Sequence, residues 1–176
     1  MIKNLKKRNS NIYVISYSEI LAEYVSQKLN STVTKNILRE KSSKIITEKD
    51  IEIVDQEILQ LVKRFEKEKH IIIDSHAVTF EEYGIRVTPF SNKIIKLFDF
   101  DMYIALYTDV DIIYKRIVEN PEGRKIVSQA DIQNAINVQS ALLLNYCSIS
   151  DKPAYFLNTK LEMEYLVEWL SAKLNN

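Results

Sequence analysis

Glycine is almost missing from this chain: two in 176 residues, Gly84 and Gly123, where average usage gives roughly twelve. That supply cannot assemble a glycine-rich loop that turns successive backbone N–H groups onto phosphate oxygens. A single cysteine, Cys147, excludes an internal disulfide and fits a reducing compartment. On a helix it reads as a small buried apolar residue rather than a nucleophile. Two histidines and one cysteine, without ligand spacing, leave no zinc site. No apolar run is long enough to span a membrane. The first residues lack a signal-peptide core, so a cytoplasmic location is expected. Net charge is missing too, but it is unevenly placed. Residues 1–49 carry ten Lys/Arg against four Asp/Glu, and residues 50–176 carry fourteen against twenty.

What is present is an ordinary globular composition, 46% hydrophobic and 27% charged, which suits one domain with a full core. Residues 1–10, with Lys3, Lys6, Lys7 and Arg8, read as a frayed basic tail, and residues 11–176 as the domain. Asn11–Ser16 is a short apolar strand of the kind buried on both faces. The following helix, to Leu29, places Ile20, Leu21, Tyr24, Val25 and Leu29 on one face. Residues 30–46 are polar and basic and carry no clear period. Thr47 and Asp50 form a capping-box pattern for a helix over about 48–68. His70–Asp74 is the clearest strand, followed by a loop over 75–89 and a short helix near 92–98. A strand at 102–107 leads through Asp109 into a helix to about Glu119, then a turn-rich break over 120–125. Ser128 and Asp131 cap a helix to about Cys147; a strand at 154–157 and a helix capped by Thr159 and Glu162 end the chain. Strands alternating with helices predict right-handed βαβ units and a parallel sheet. Ligands would then meet the carboxyl ends of the strands, here Ser16-Tyr17, Asp74–His76, Thr108-Asp109 and Asn158.

The segment Ile71-Ile-Ile-Asp74-Ser75-His76-Ala77-Val78 resembles the strand ending in Asp-x-His-Ala of the archaeal adenylate kinase family. Further pieces keep that family's order: Gly84 before its substrate-loop prolines, Thr108-Asp109 with Ile112, Ile113 and Arg116, then Asn120–Arg124 at the lid. Gln139–Tyr146 is similar to its long helix, and Tyr155–Asn158 to its last strand. The resemblance implies an α/β fold: a three-layer α/β/α P-loop-NTPase-like domain with five mostly parallel strands and a short lid at about 120–127. It also implies the trimer that archaeal relatives form. By the same resemblance Asp74, Arg116 and Arg124 are remnants of the catalytic apparatus, and His76 and Asn158 of the nucleotide site.

The chain departs from that family at its chemical centre. Where the phosphate loop belongs there is only Ser16-Tyr17-Ser18-Glu19, and no lysine follows until Lys28. The resemblance with this loss implies a pseudoenzyme, a binding or regulatory module with no cofactor and with a protein partner or further copies of itself. Two alternatives stay open. One is a residual ATP:AMP phosphotransferase using Mg²⁺, with ATP held by Lys35 or Arg39. The other is a nucleic-acid binder using Lys6, Lys7, Arg8, Lys35 and Arg39. Each site residue also has a plain structural reading: Asp74 as an acceptor for nearby N–H groups, His76 bonded to Asp74 or a carbonyl, Arg116 in a local ion pair, and Asn158 capping a turn.

Overall fold

The computed structural model describes residues 1–122 and 124–174. In chain order these form α1 (Ile2–Arg8), β1 (Ile12–Ser16), α2 (Tyr17–Leu29), α3 (Lys35–Ile45) and α4 (Glu48–Phe65). Then come β2 (His70–Asp74), β3 (Val78–Glu81), β4 (Gly84–Val87), α5 (Asn92–Phe98) and β5 (Tyr103–Tyr107). The chain continues with α6 (Val110–Glu119), α7 (Gln129–Ser150), β6 (Ala154–Asn158) and α8 (Met163–Leu174).

The fold is α/β with mostly parallel pairing, but its sheet is not the single five-stranded one that was expected. Among the described residues six strands form three two-stranded ladders. β1 runs parallel to β2 and β5 parallel to β6, while β3 and β4 are antiparallel. The segment 30–46, which carried no clear period, supplies no strand: Lys35–Ile45 forms α3, with the Thr34 hydroxyl accepting the Ile37 N–H at 3.3 Å as an N-cap. The two parallel ladders meet through side chains instead. Ile72 of β2 and Ile104 of β5 pack on one cluster with Ile12 and Val14.

Side-chain alternation along β1 explains how both of its faces are covered. Tyr13 and Ile15 point to a core built with α2, α3, α4 and α5, in which Val25, Val54 and Ile58 are fully buried. Ile12 and Val14 point to the opposite core with α1 and α8. β5 does the same, with Tyr103 facing Tyr146 of α7 and Ile104 facing the α8 side. This is why these strands read as continuous apolar runs rather than alternating ones.

Three further expectations need correction. Residues 1–10 are not a frayed tail: α1 buries Leu5, 0% exposed, against Ile12, Val167 and Leu170. Arg8 adds ion pairs to Glu164 and, at 3.4 Å, Glu168 on α8. The expected loop at 75–89 contains the β3–β4 hairpin, which closes with Glu81 opposite Gly84. Gly84 sits at φ +128 with open space around it, so the backbone angle rather than crowding calls for glycine. The final helix is not capped by Thr159, whose hydroxyl donates to the Tyr107 carbonyl at 3.1 Å and ties β6 to β5. The other two caps form in full: Thr47 with Asp50, and Ser128 with Asp131, are reciprocal capping boxes. Of the expected lid at 120–127, Gly123 lies outside the described residues.

Candidate functional site

The register Ser16↔Asp74 sets the carboxyl ends of β1 and β2 side by side, and Tyr107↔Asn158 does so for β5 and β6. In a parallel α/β fold these ends are where ligands meet the sheet. At the first of them the chain passes straight from strand to helix. Ser16 is the last residue of β1 and also the N-cap of α2, whose first residue is Tyr17. No residue is left to form a loop. Ser16 Oγ lies 3.4 Å from Ser18 Oγ and 3.4 Å from the Lys35 ammonium. Lys35 in turn donates to Glu19 at 2.6 Å. The positive end of α2 therefore already carries its own carboxylate, Glu19, and the neighbouring Lys35 is shared with it.

Tyr17 turns inward. Its hydroxyl donates to Asp55 Oδ1 at 2.8 Å, and its ring meets Phe90 edge-on at 5.5 Å. The Phe90 N–H donates to the Tyr146 hydroxyl at 2.8 Å. Burial holds both phenols protonated: Tyr17 is raised above its ordinary value, with Asp55 reinforcing the effect, and Tyr146 is pushed up to about 12. Asp55 is 4% exposed. Burial lifts its carboxyl to about 6 against the pull of the Tyr17 hydrogen bond, and the neighbouring Glu52 charge adds to the lift.

Asp55 also lines a cleft of about 580 Å³ between α4 and residues 86–94. α4 contributes Glu48, Glu52, Asp55 and Gln56 to it, and the facing segment contributes Arg86, Thr88, Ser91 and Lys93. Sequence reading missed Asp55. The available signal was an acid beside Val54, on the same stripe as Ile58, Leu59 and Val62, since a carboxylate inside a helix's apolar face is expensive unless it is partnered or functional.

The residues singled out from sequence are not brought into one constellation. Asp74 is half-buried beside Ser16, and among the described residues no side chain partners it. His76 is exposed, two residues beyond the strand. Arg116 is exposed on α6 without the local ion pair to Asp111. Arg124 pairs with Glu122 at 3.4 Å. Arg39 of α3 reaches the same residue, donating to the Glu122 carbonyl at 2.8 Å and lying 3.6 Å from its carboxylate. The Asn158 side chain accepts the Lys160 N–H at 3.0 Å, a local turn of the plain structural kind. Of the basic candidates, Arg8, Lys35 and Arg39 are all in ion pairs; Lys6 and Lys7 are exposed on α1.

Among the described residues no three His, Cys, Asp or Glu side chains converge as metal ligands. No described helix is long and apolar enough to cross a membrane. No protein-family model and no curated protein matches this chain.

Proposed function

We propose that this chain is a degenerate relative of the adenylate kinases, on a three-layer P-loop-type scaffold, that works as a binding or regulatory module and does not transfer phosphate. The observation that carries this reading is the direct junction of β1 and α2 at Ser16-Tyr17. Binding the phosphates of ATP takes a backbone loop wide enough to aim several N–H groups at one point, plus a lysine and a Ser/Thr hydroxyl for Mg²⁺. A helix N-terminus alone attracts an anion weakly, and here Glu19 opposes it. Catalysis of phosphoryl transfer is mostly electrostatic, so the occupation of Arg39 and Arg124 by Glu122 also counts against it. Parallel pairs covered by helices on both faces are compatible with the scaffold. The pairing of Arg8, Lys35 and Arg39 with acids weakens the nucleic-acid alternative.

The test is transfer of phosphate from Mg·ATP to AMP by the purified chain. The expected result is background rate, unchanged in Asp74→Ala. Transfer above background that Asp74→Ala removes would restore the residual-enzyme reading. Lys35, 3.4 Å from Ser16 Oγ, would then be the group to mutate next.

A further inference from the structure

The cleft between α4 and residues 86–94 has walls of opposite sign that do not touch. Glu48, Glu52 and Asp55, at positions i, i+4 and i+7, share one face of α4. Arg86 and Lys93 stand on the facing segment. Among the described residues none of these five charges lies in an ion pair, with each other or with anything else. The cleft is also lined by apolar side chains from both sides, Ile51 of α4 and Val87, Pro89 and Ile94 of the facing segment.

Both charged walls gain from a ligand that brings the opposite charge to each, and the apolar lining gains from a hydrocarbon stem. We propose that this cleft binds a small zwitterion. Its anionic group is held by Arg86 and Lys93, its ammonium by Glu52 and Asp55, and a short apolar stem joining them lies along Ile51, Val87 and Ile94. The volume of about 580 Å³ suits a ligand of that size. A phosphate monoester suits it less well: a dianion meets two cations but also three carboxylates, so the lining as a whole repels it. The burial of Asp55 adds to the assignment. It is an almost fully buried carboxylate whose one side-chain partner among the described residues is the Tyr17 hydroxyl, and an ammonium supplies a countercharge that those residues do not.

This inference rests on the reading of the chain as a binding module, but it is separately testable. The Ser16–Glu19 junction contributes no wall to the cleft, so ATP binding and zwitterion binding can fail independently. The full chain is titrated by calorimetry with ε-aminocaproate. Caproate and hexylamine serve as the single-charge controls, and AMP as the dianion. The expected result is saturable binding of ε-aminocaproate, weakened roughly tenfold or more when either charge is removed. Arg86→Gln should weaken ε-aminocaproate and caproate alike and spare hexylamine. Glu52→Gln should weaken ε-aminocaproate and hexylamine and spare caproate. Both positions lie at the cleft surface, and thermal unfolding verifies that each variant is folded. Near pH 6, ammonium binding should also release a proton from Asp55, seen as a dependence of the heat on the buffer's ionisation enthalpy. Tighter binding of AMP than of ε-aminocaproate, equal binding of caproate and ε-aminocaproate, or no binding of ε-aminocaproate at millimolar concentration by the folded chain would each overturn the proposal.

Discussion

Replacing Asp55 by asparagine should remove a pH dependence of stability that the wild-type chain carries. Asp55 is 4% exposed and its side-chain bond comes from Tyr17 at 2.8 Å. Its carboxyl rises from 3.8 unfolded to about 6 folded, chiefly through burial. The sign follows from proton linkage. Below about pH 4 both states are protonated and the contribution is fully present. As pH rises through the folded value, the native state must bury a charge that the unfolded state leaves in water, and the contribution is lost. A shift of this size is worth roughly 3 kcal/mol, reduced to about 2 kcal/mol because the cleft admits water. Asparagine keeps an acceptor for Tyr17 and carries no charge. In urea unfolding the two proteins should be nearly equal at about pH 4, with Asp55→Asn more stable by about 2 kcal/mol at pH 7. A difference that does not change with pH, or that moves the other way, would refute this, showing that the carboxylate is solvated or already neutralised by a nearby cation.

Other perturbations test other parts of the structure. Leu5→Ala should cost about 3 kcal/mol in urea unfolding, because Leu5 is fully buried under α8; an effect near zero would return residues 1–10 to the status of a tail. Lys28→Met strips Asp50 of an ammonium that donates to both its oxygens at 2.9 and 2.7 Å, and should cost about 2 kcal/mol. Burial works against the Asp50 charge, but Lys28 and Thr47 hold its carboxyl down at about 2. The contribution of that pair should therefore be present above pH 3.8 and fade as pH falls through about 2, below the window in which Asp55 titrates. Gly84→Ala should cost about 1 kcal/mol or more through its positive φ alone, read as a lowered melting temperature.

Elements with a strong local signal were legible in the sequence. The β-branched run at Ile71–Ile73 and the reciprocal caps at Thr47/Asp50 and Ser128/Asp131 act within a few residues, so their pattern survives in one dimension. α1 was not legible because its evidence is a single residue, Leu5, whose burial depends on α8 at the far end of the chain. α3 was hidden by polarity and by a kink at Lys41, where φ is −129 and ψ is 16. Strand pairing was the least readable feature. Nothing local in β1 or β5 says that they meet through side chains rather than through a ladder. At the site, the direct passage from β1 into α2 at Ser16-Tyr17 could be read, since the strand and helix patterns abut in the sequence itself. The cleft could not, because its two walls are about 30 residues apart and only folding opposes their charges.

The claim that ATP has lost its cradle is tested most directly by calorimetric titration of the purified chain with ATP, with and without Mg²⁺. No detectable binding is expected at millimolar nucleotide, because Ser16 passes directly into α2 and Glu19 sits in the first turn of that helix. A dissociation constant of micromolar order, about −8 kcal/mol, would contradict it and show that some other part of the chain holds the phosphates.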